Sequence, residues 1–395
     1  MIPRQSIPMS SPDITEAERV AVAEVLNTDH LSMGPRIDRF EAAFKEYTGS
    51  KHAIGVSSGT AGLHLCLHAA NITANDLVIT TPFSFVASSN VILFENAIPV
   101  FVDVEPSTGN IDPSIVAEAV RDLHSGSSAG EKWLPRKIQS EKKQLKALLP
   151  VDVFGQPADF DLLNSIAGDY ELTVIEDSCE ALGSEYRGKK AGTLGNYGVF
   201  AFYPNKQMTT GEGAVIITDD DEAAGLMRSL RNQGRAPGDT WLQHTRLGYN
   251  YRLDEMSAAL GEVQVSRLDE MIHKRTVVAG WYRERLNQIP GIEIPAVTPM
   301  TTRMSWFVYV IRFAAEINRD RIAQELGKLG VPARPYFLPI HLQPYMVERF
   351  GYKMGDFPIT EDLGQRSLAI PFSSVMTENQ VDYVCQSLDA LIRNS

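Results

Sequence analysis

Seven short runs of nearly uninterrupted apolar residues, at 52–56, 77–81, 98–104, 148–154, 172–175, 198–202 and 214–218, alternate with segments of helical periodicity. A strand with one wet face would alternate apolar and polar residues. These runs do not, so they are predicted to be covered on both faces. The segments between them have the length of helical crossovers joining parallel strands. The pattern predicts an α/β fold: a large domain over residues 30–255, with a mostly parallel seven-stranded sheet flanked by helices.

Ahead of the sheet, Ile14, Ala17, Val20, Ala21 and Val25 recur at helical spacing. They predict a helix over 14–27, within an N-terminal helical segment of residues 1–29. A second helix is predicted over 36–47, with Phe40 and Phe44 on one face. A long helix over 253–278 leaves the sheet, and its stretch 256–278 is read as a connection. Residues 279–395 carry a strand signal at 306–313 and helical signals at 319–329 and 378–392, which predict a smaller C-terminal α+β domain. Residues 125–146 (SGSSAGEKWLPRKIQSEKKQLK) break the rhythm and are read as a surface insertion. Its basic residues are taken as a solvated face in preference to a basic patch.

A length of 395 residues suits two or three domains with a sizeable core. The net charge is -12 with no block of consecutive basic residues, which argues against a nucleic-acid surface. A phosphorylated ligand would have to be met locally, by backbone amides or single Arg and Lys residues. Cys66, Cys179 and Cys385 form no CxxC pair, so they are expected to be free thiols, with no structural zinc and no other metal. The N-terminal stretch lacks the apolar core of a signal peptide, and no run of about 18 apolar residues could span a membrane. A cytoplasmic protein without a membrane partner is the expectation.

Four local features carry chemistry. Ser57-Ser58-Gly59-Thr60-Ala61-Gly62 follows a predicted strand and opens a helix over 63–70. Small residues there let backbone amides approach an anion at the positive end of the helix dipole, although a simple Ser cap would look similar. Val174-Ile175-Glu176-Asp177 ends an apolar strand in two carboxylates, at the sheet edge where ligands of open α/β folds bind. A carboxylate there could hold a protonated ring nitrogen, or be a solvated loop residue. Lys206 follows the aromatic run Phe200-Ala201-Phe202-Tyr203 and precedes small residues. Partial burial is what activates a lysine for attack on a carbonyl. Gly248-Tyr249-Asn250-Tyr251-Arg252 is polar and aromatic just before the long helix.

In this order the features sit within longer blocks: SSGTAGLHL (57–65), TPFSFVASSN (81–90), PVFVDVEPSTGNID (99–112), PVDVFGQPADFD (150–161), VIEDSCEALGSEY (174–186), GVFAFYPNKQMTTGEGA (198–214) and LGYNYRLDEMSAAL (247–260). Together they resemble the DegT/DnrJ/StrS family, pyridoxal-phosphate (PLP) dependent aminotransferases of nucleotide-sugar biosynthesis with the aspartate-aminotransferase fold. The resemblance implies that Gly59, Thr60 and Ala61 hold the cofactor phosphate and that Phe85 stacks on its ring. It implies that Asp177 pairs with the ring nitrogen and that Lys206 holds the cofactor as a Schiff base. Asn250 would reach the phosphate of the neighbouring subunit's cofactor, making a homodimer part of the site. The segment 334–341 (RPYFLPIH) resembles one that closes over substrate, with Tyr336 and His341 as candidate substrate residues; for His341 a structural role is equally open.

Two positions depart from the family pattern. Glu180 stands where many members carry a Gln or His that donates to the cofactor's phenolic oxygen. An ionised carboxylate cannot donate, so Glu180 must be protonated, turned away or part of another network. Ala201 stands where a Ser commonly contacts the phosphate. The implied activity is transfer of an amino group from L-glutamate to the ketone of a nucleotide-linked keto-sugar. The alternatives are a cyclitol or other non-nucleotide ketone as acceptor, a PLP-dependent sugar dehydratase, and a non-catalytic regulator that retains the fold. Dehydratases of the family carry a His in place of the lysine, and a regulator would be expected to lose Lys206 or Asp177.

Overall fold

All seven predicted strands form and pair in one sheet of a computed structural model that describes residues 6–126, 128–138 and 143–393. The first half of the chain runs α1 (Glu16–Leu26), α2 (Pro35–Thr48), β1 (His52–Val56), α3 (Gly59–Ala69), β2 (Leu77–Thr80), α4 (Ala87–Phe94), β3 (Ile98–Phe101), α5 (Pro113–His124), β4 (Leu145–Leu149), α6 (Phe160–Asp169) and β5 (Thr173–Asp177). A short hairpin of β6 (Glu185–Tyr186) and β7 (Lys189–Lys190) precedes β8 (Tyr197–Ala201), β9 (Ala214–Thr218), α7 (Asp221–Arg231), α8 (Glu255–Ser266) and α9 (Leu268–Leu286). The remainder holds β10 (Ile292–Glu293), β11 (Thr301–Arg303), β12 (Tyr309–Phe313), α10 (Arg319–Lys328), β13 (Arg334–Pro335), α11 (Pro344–Phe350), α12 (Pro358–Arg366), β14 (Ser367–Ile370) and α13 (Glu378–Arg393).

The large sheet has the order β1-β9-β8-β5-β4-β2-β3. Only β9 runs against its neighbours; every other pairing is parallel. Consequently the carboxyl ends of β1, β2, β4, β5 and β8 share one edge. Successive strand residues point to opposite faces, and both faces are dry. Ile54, Ile216 and Val199 pack under α3 and α7, while Ala53, Val215, Ile217 and Phe200 pack against Ile37, Phe40 and Phe44 of α2 and Met271 and Ile272 of α9. This is why the strand sequences are continuously apolar. Each such fully buried Leu, Ile or Phe contributes roughly 1.5–3 kcal/mol relative to exposure. Helix α3 is buried from Ala61 to Leu67, as a helix apolar on all sides must be. Its Gly62 permits this seat, since a Cβ there would lie 2.7 Å from Val199 Cγ1.

Three expectations are revised. The run 148–154 is only partly strand: β4 ends at Leu149, Val151 still bridges Asp177, and the chain then leaves the sheet in a 3-10 turn at Val153–Gly155, where Phe154 takes a left-handed φ of 59°. The long helix expected over 253–278 is two helices that break at Arg267, where φ is -106° and ψ is 4°. Apolar periodicity continues across the break; the kink is made where Arg267 turns to pair with Asp13 at 2.9 Å and Glu18 at 2.6 Å. Of the stretch 125–146, residues 127 and 139–142 lie outside the described residues, as do residues 1–5 of the N-terminal segment and 394–395 at the C-terminus. The rest of that stretch is not simply solvated: Trp133, Leu134 and Ile138 pack on the core under β2, β3 and β4, and Leu145 already belongs to β4.

Beyond α9 a four-stranded antiparallel sheet, β10-β12-β14-β13, packs with α9, α10 and α13 around Tyr282, Tyr309, Phe313 and Leu388. Residues following β13 return to the large sheet, where Phe337 packs by Phe83 and Ile340 by Phe101. Among the described residues, no helix is long and apolar enough to cross a membrane.

Candidate active site

The sheet edge collects Asp177, Lys206 and the start of α3. Asp177 is the last residue of β5, and its backbone is clamped by Pro150 and Asp152 through bonds of 3.0 and 3.1 Å. Its Oδ2 accepts the Ser88 hydroxyl at 2.6 Å and its Oδ1 accepts the Cys179 amide at 3.2 Å. The carboxylate is therefore aimed by α4 from one side and by its own turn from the other. Behind it, Glu176 points to the opposite face of the strand and accepts the amides of Gly192, Leu194 and Gly195.

Lys206 lies in the turn after β8, with its amide bonded to the Tyr203 carbonyl at 2.9 Å. Its own carbonyl accepts from Arg275 of α9 at 2.6 Å. Arg275 also donates to the carbonyls of Asn205, Trp306 and Phe307, so one guanidinium ties the lysine turn to the segment before β12. Burial pushes that guanidinium down to about 10. The Lys206 side chain is 13% exposed; Nζ lies 3.7 Å above the Phe307 ring centroid and 3.5 Å from Glu180 Oε1. Glu180 is itself buried, and its Oε2 accepts the Phe154 amide at 2.9 Å. Burial pushes the Glu180 carboxyl above its ordinary value, against the opposing pull of the Lys206 ammonium. The neutral form thus persists to higher pH than in an exposed carboxyl.

Helix α3 starts at Gly59, earlier than its apolar pattern suggested, and Ser58 is its cap. Ser58 Oγ accepts the Ala61 amide at 3.1 Å, leaving the amides of Gly59 and Thr60, which have no acceptor within the helix, for an anion. A Cβ on Gly59 would stand 2.9 Å from both Ala201 Cβ and Cys179 Sγ, so the helix start fits this close to β8 and the Asp177 turn only with glycine. Ala201, whose methyl borders this helix start, offers it no side-chain hydrogen bond.

Phe85 precedes α4 and leaves its ring 64% exposed. Tyr336 stacks on Phe337 at 4.7 Å and leans on Phe154 and Phe307, the residues that hold Glu180 and Lys206; burial, with the Glu180 charge nearby, pushes its phenol well above its ordinary value. Asn250 is exposed, on a segment tied to Leu230 and Arg231 by the amides of Tyr249 and Tyr251. His341 stands apart: it is fully buried, paired with Glu361 at 2.9 Å and edge-on to Phe357. Burial pushes its imidazole down, Glu361 opposing. Its side chain is enclosed in the protein, and its Nδ1 has no hydrogen-bond partner among the described residues. Ser88, Arg275 and Phe307 were not singled out in the sequence. Ser88 sits in TPFSFVASSN with other serines, whereas position 275 falls within the apolar stripe of α9 (Leu268, Met271, Ile272, Val278, Ala279, Tyr282), a signal that marks Arg275 as buried.

These residues fit PLP, a flat phosphorylated aldehyde with a basic ring nitrogen. First-turn amides suit its phosphate, Asp177 its ring N–H, Phe85 its face and Lys206 its aldehyde. Asn205 Oδ1, beside the lysine, is buried without a partner among the described residues, as expected of a site that a bound molecule completes.

The model of the DegT/DnrJ/EryC1/StrS aminotransferase family matches residues 12–389. The chain is 35% identical over 394 residues to the GDP-perosamine synthase of Caulobacter vibrioides, with 99% of each chain covered. Among solved structures it is similar to Helicobacter pylori PseC, an aminotransferase involved in the biosynthesis of pseudoaminic acid. That match has a TM-score of 0.86 and 27% identity, and covers 99% of this chain and 100% of the other. It is also similar to S. venezuelae DesV, with a TM-score of 0.85, 29% identity and 98% of each chain covered.

Proposed function

The chain belongs to the DegT/DnrJ/EryC1/StrS aminotransferase family, whose members depend on PLP, and from that premise we propose that it transfers an amino group from L-glutamate to the ketone of a nucleotide-linked keto-sugar. The observation that carries this reading is the meeting of Asp177, Lys206 and the α3 amides at one sheet edge. A relative named for GDP-perosamine, a nucleotide-linked amino sugar, supports this class of acceptor.

When bound, PLP supplies a ring that takes up the electron pair left when a proton departs the substrate carbon. Asp177 keeps the ring nitrogen protonated, and Ser88 holds Asp177 in line. Lys206 Nζ would hold the cofactor by its aldehyde and would carry a proton to and from the substrate carbon as base and acid. Glu180, in its neutral form, would donate to the phenolic oxygen. Tyr336 walls the site beside Glu180 and helps keep water from it. The residue at position 206 is lysine, which speaks against the dehydratase reading, and retention of both Lys206 and Asp177 speaks against a non-catalytic regulator.

Asn250 completes the phosphate site of a second subunit. Trp241, Leu242 and Leu247, exposed by 82%, 67% and 88%, lie just before it and supply the apolar contact of that interface. The protein then works as an obligate homodimer burying over about 2,000 Å². Sedimentation of the active enzyme at micromolar concentration checks this, and a monomer that turns over substrate refutes it. Incubation with L-glutamate and a panel of keto-sugar nucleotides, following 2-oxoglutarate release, tests the activity. Release with a cyclitol ketone but with no sugar nucleotide would move the acceptor to the other class.

A further inference from the structure

On the far side of α3 from the reacting groups lies a cluster that the transamination does not use. His64 and His68 are four residues apart on α3 and share a face. Their Nε2 atoms converge on one oxygen, Oε1 of Glu95, at 2.6 and 3.1 Å. The Tyr249 hydroxyl comes within 2.7 Å of the same His68 Nε2. The ligand atoms of His64, His68 and Glu95 all lie within 4.8 Å of one another. From this convergence we infer that His64, His68, Glu95 and Tyr249 form a binding site for a divalent transition metal of the zinc class.

The donor set is the first argument. Two imidazoles, a carboxylate and a phenol oxygen suit tetrahedral zinc, whose bonds of about 2.0–2.2 Å put neighbouring ligand atoms ~3.3 Å apart. The contacts of Glu95 Oε1 with His64 and His68, at 2.6 and 3.1 Å, and of Tyr249 Oη with His68, at 2.7 Å, are shorter than this, as between atoms joined by shared protons, and lengthen when an ion replaces those protons. The second argument is satisfaction. His68 Nε2 faces both Tyr249 Oη and Glu95 Oε1, yet a ring nitrogen carries at most one proton and can point it at one of them. A cation among the donors satisfies all of them together.

The outer contacts are also in place. His64 Nδ1 meets the Tyr251 hydroxyl at 3.0 Å; with the proton on Nδ1, that bond leaves the Nε2 lone pair for the metal. Tyr249 and Tyr251 stack at 4.9 Å with rings 10° from parallel, so both hydroxyls are held in register. The His64 side chain is 5% exposed and that of His68 25%, which leaves a way in on the His68 side. A bound ion would fasten α3 and the end of α4 to the segment that presents Asn250. The sequence signal is the HxxxH spacing within one predicted helix, which the cysteine pattern gave no reason to weigh.

The test uses the PLP-loaded full chain, stripped with EDTA and titrated with zinc alone. One zinc per chain is expected to survive gel filtration, with X-ray absorption showing two imidazoles and only nitrogen and oxygen ligands. His68→Ala and Glu95→Gln should weaken zinc binding at least tenfold, and the milder Tyr251→Phe by about 10-fold or more. Lys206→Ala should hold zinc as tightly as the unaltered chain, which separates this site from chelation at the cofactor. If the first two variants fold poorly, Tyr251→Phe and the absorption spectrum of the unaltered protein decide. No retained zinc in the unaltered protein, a sulfur ligand, or undiminished binding in folded variants would overturn the assignment and leave a hydrogen-bonded network only.

Discussion

The Nζ of Lys206 stands 3.5 Å from Oε1 of Glu180, while the other oxygen of that carboxyl accepts the Phe154 amide. Burial is the larger influence on Glu180 and raises its pKa; the lysine ammonium lowers it by less. The neutral donor form therefore persists above the ordinary carboxylate range and is lost as pH rises through the raised value. Glu180→Gln supplies a donor of the same length at every pH. It should keep kcat/KM within a few-fold of the unaltered enzyme and remove the alkaline fall that Glu180 causes. A pH profile of kcat/KM checks this. Severe loss of activity with PLP still bound would mean that the carboxyl transfers a proton itself.

Ser88 donates to Asp177 Oδ2 at 2.6 Å, a hydrogen bond to a charged group and so worth about 1.5–3 kcal/mol. Ser88→Ala should reduce kcat/KM by about 10–100-fold and weaken PLP retention, since every 1.4 kcal/mol is a factor of ten. Ser88→Thr keeps the hydroxyl and should recover most of the loss. Cofactor affinity and kcat measured side by side decide; an unimpaired Ser88→Ala would show that the turn at Cys179 alone aims Asp177.

The seven strands were legible because both faces of the sheet are dry, which leaves a continuous apolar run at each strand. Asp177 and Lys206 were legible because they fall where such runs stop. What the sequence concealed are contacts made across long separations. The apolar stripe of α9 places Arg275 inside the protein, but does not show that it holds the lysine turn by its carbonyl. Arg267 breaks a helix that periodicity continues, because its partners are Asp13 and Glu18 at the far end of the chain. His341 follows a motif that resembles a substrate lid, and only packing against Phe357 and Glu361 shows it facing inward.

Asp152 and Glu176 are fully buried and face one another beside the Asp177 strand end. Burial first, and the Glu176 charge next, hold the Asp152 carboxyl well above its ordinary range. Glu176 is also raised by burial, though backbone amides from Gly192 and Leu194 oppose that, so the retained proton resides on Asp152. The folded state then binds a proton that the unfolded chain has already lost above the ordinary carboxylate range. Stability must fall as pH rises from that range through the raised value. Asp152→Asn keeps an acceptor for the Ala158 amide and removes the ionisation, while its NH2 reverses the bond in which Ser178 donates to Asp152 Oδ2. Thermal unfolding at saturating PLP should show a flatter dependence on pH for this variant, with a higher Tm than the unaltered protein on the alkaline side. Parallel curves for the two proteins would show that Asp152 ionises freely.

Lys206 decides the chemistry. Its amine is 13% exposed, lies over Phe307 and is carried on a turn that Arg275 holds by two carbonyls, so its position is set by the fold rather than by solvent. The purified protein should be yellow, and borohydride should fix PLP to the peptide containing Lys206. Lys206→Ala should still bind PLP without a covalent bond, because the α3 amides, Phe85 and Asp177 remain. Transamination should fall by at least about 10²–10⁴-fold, the range expected for loss of a positioned proton carrier. An added small amine can exchange at the aldehyde carbon, but it arrives without the orientation that the turn imposes and should restore little of the rate. Absorbance separates the two functions of the side chain: the variant should lose the borohydride-fixed label while retaining dialysable PLP. Labelling of another lysine, or near-normal turnover by Lys206→Ala, would remove Lys206 from both roles and with it the proposed mechanism.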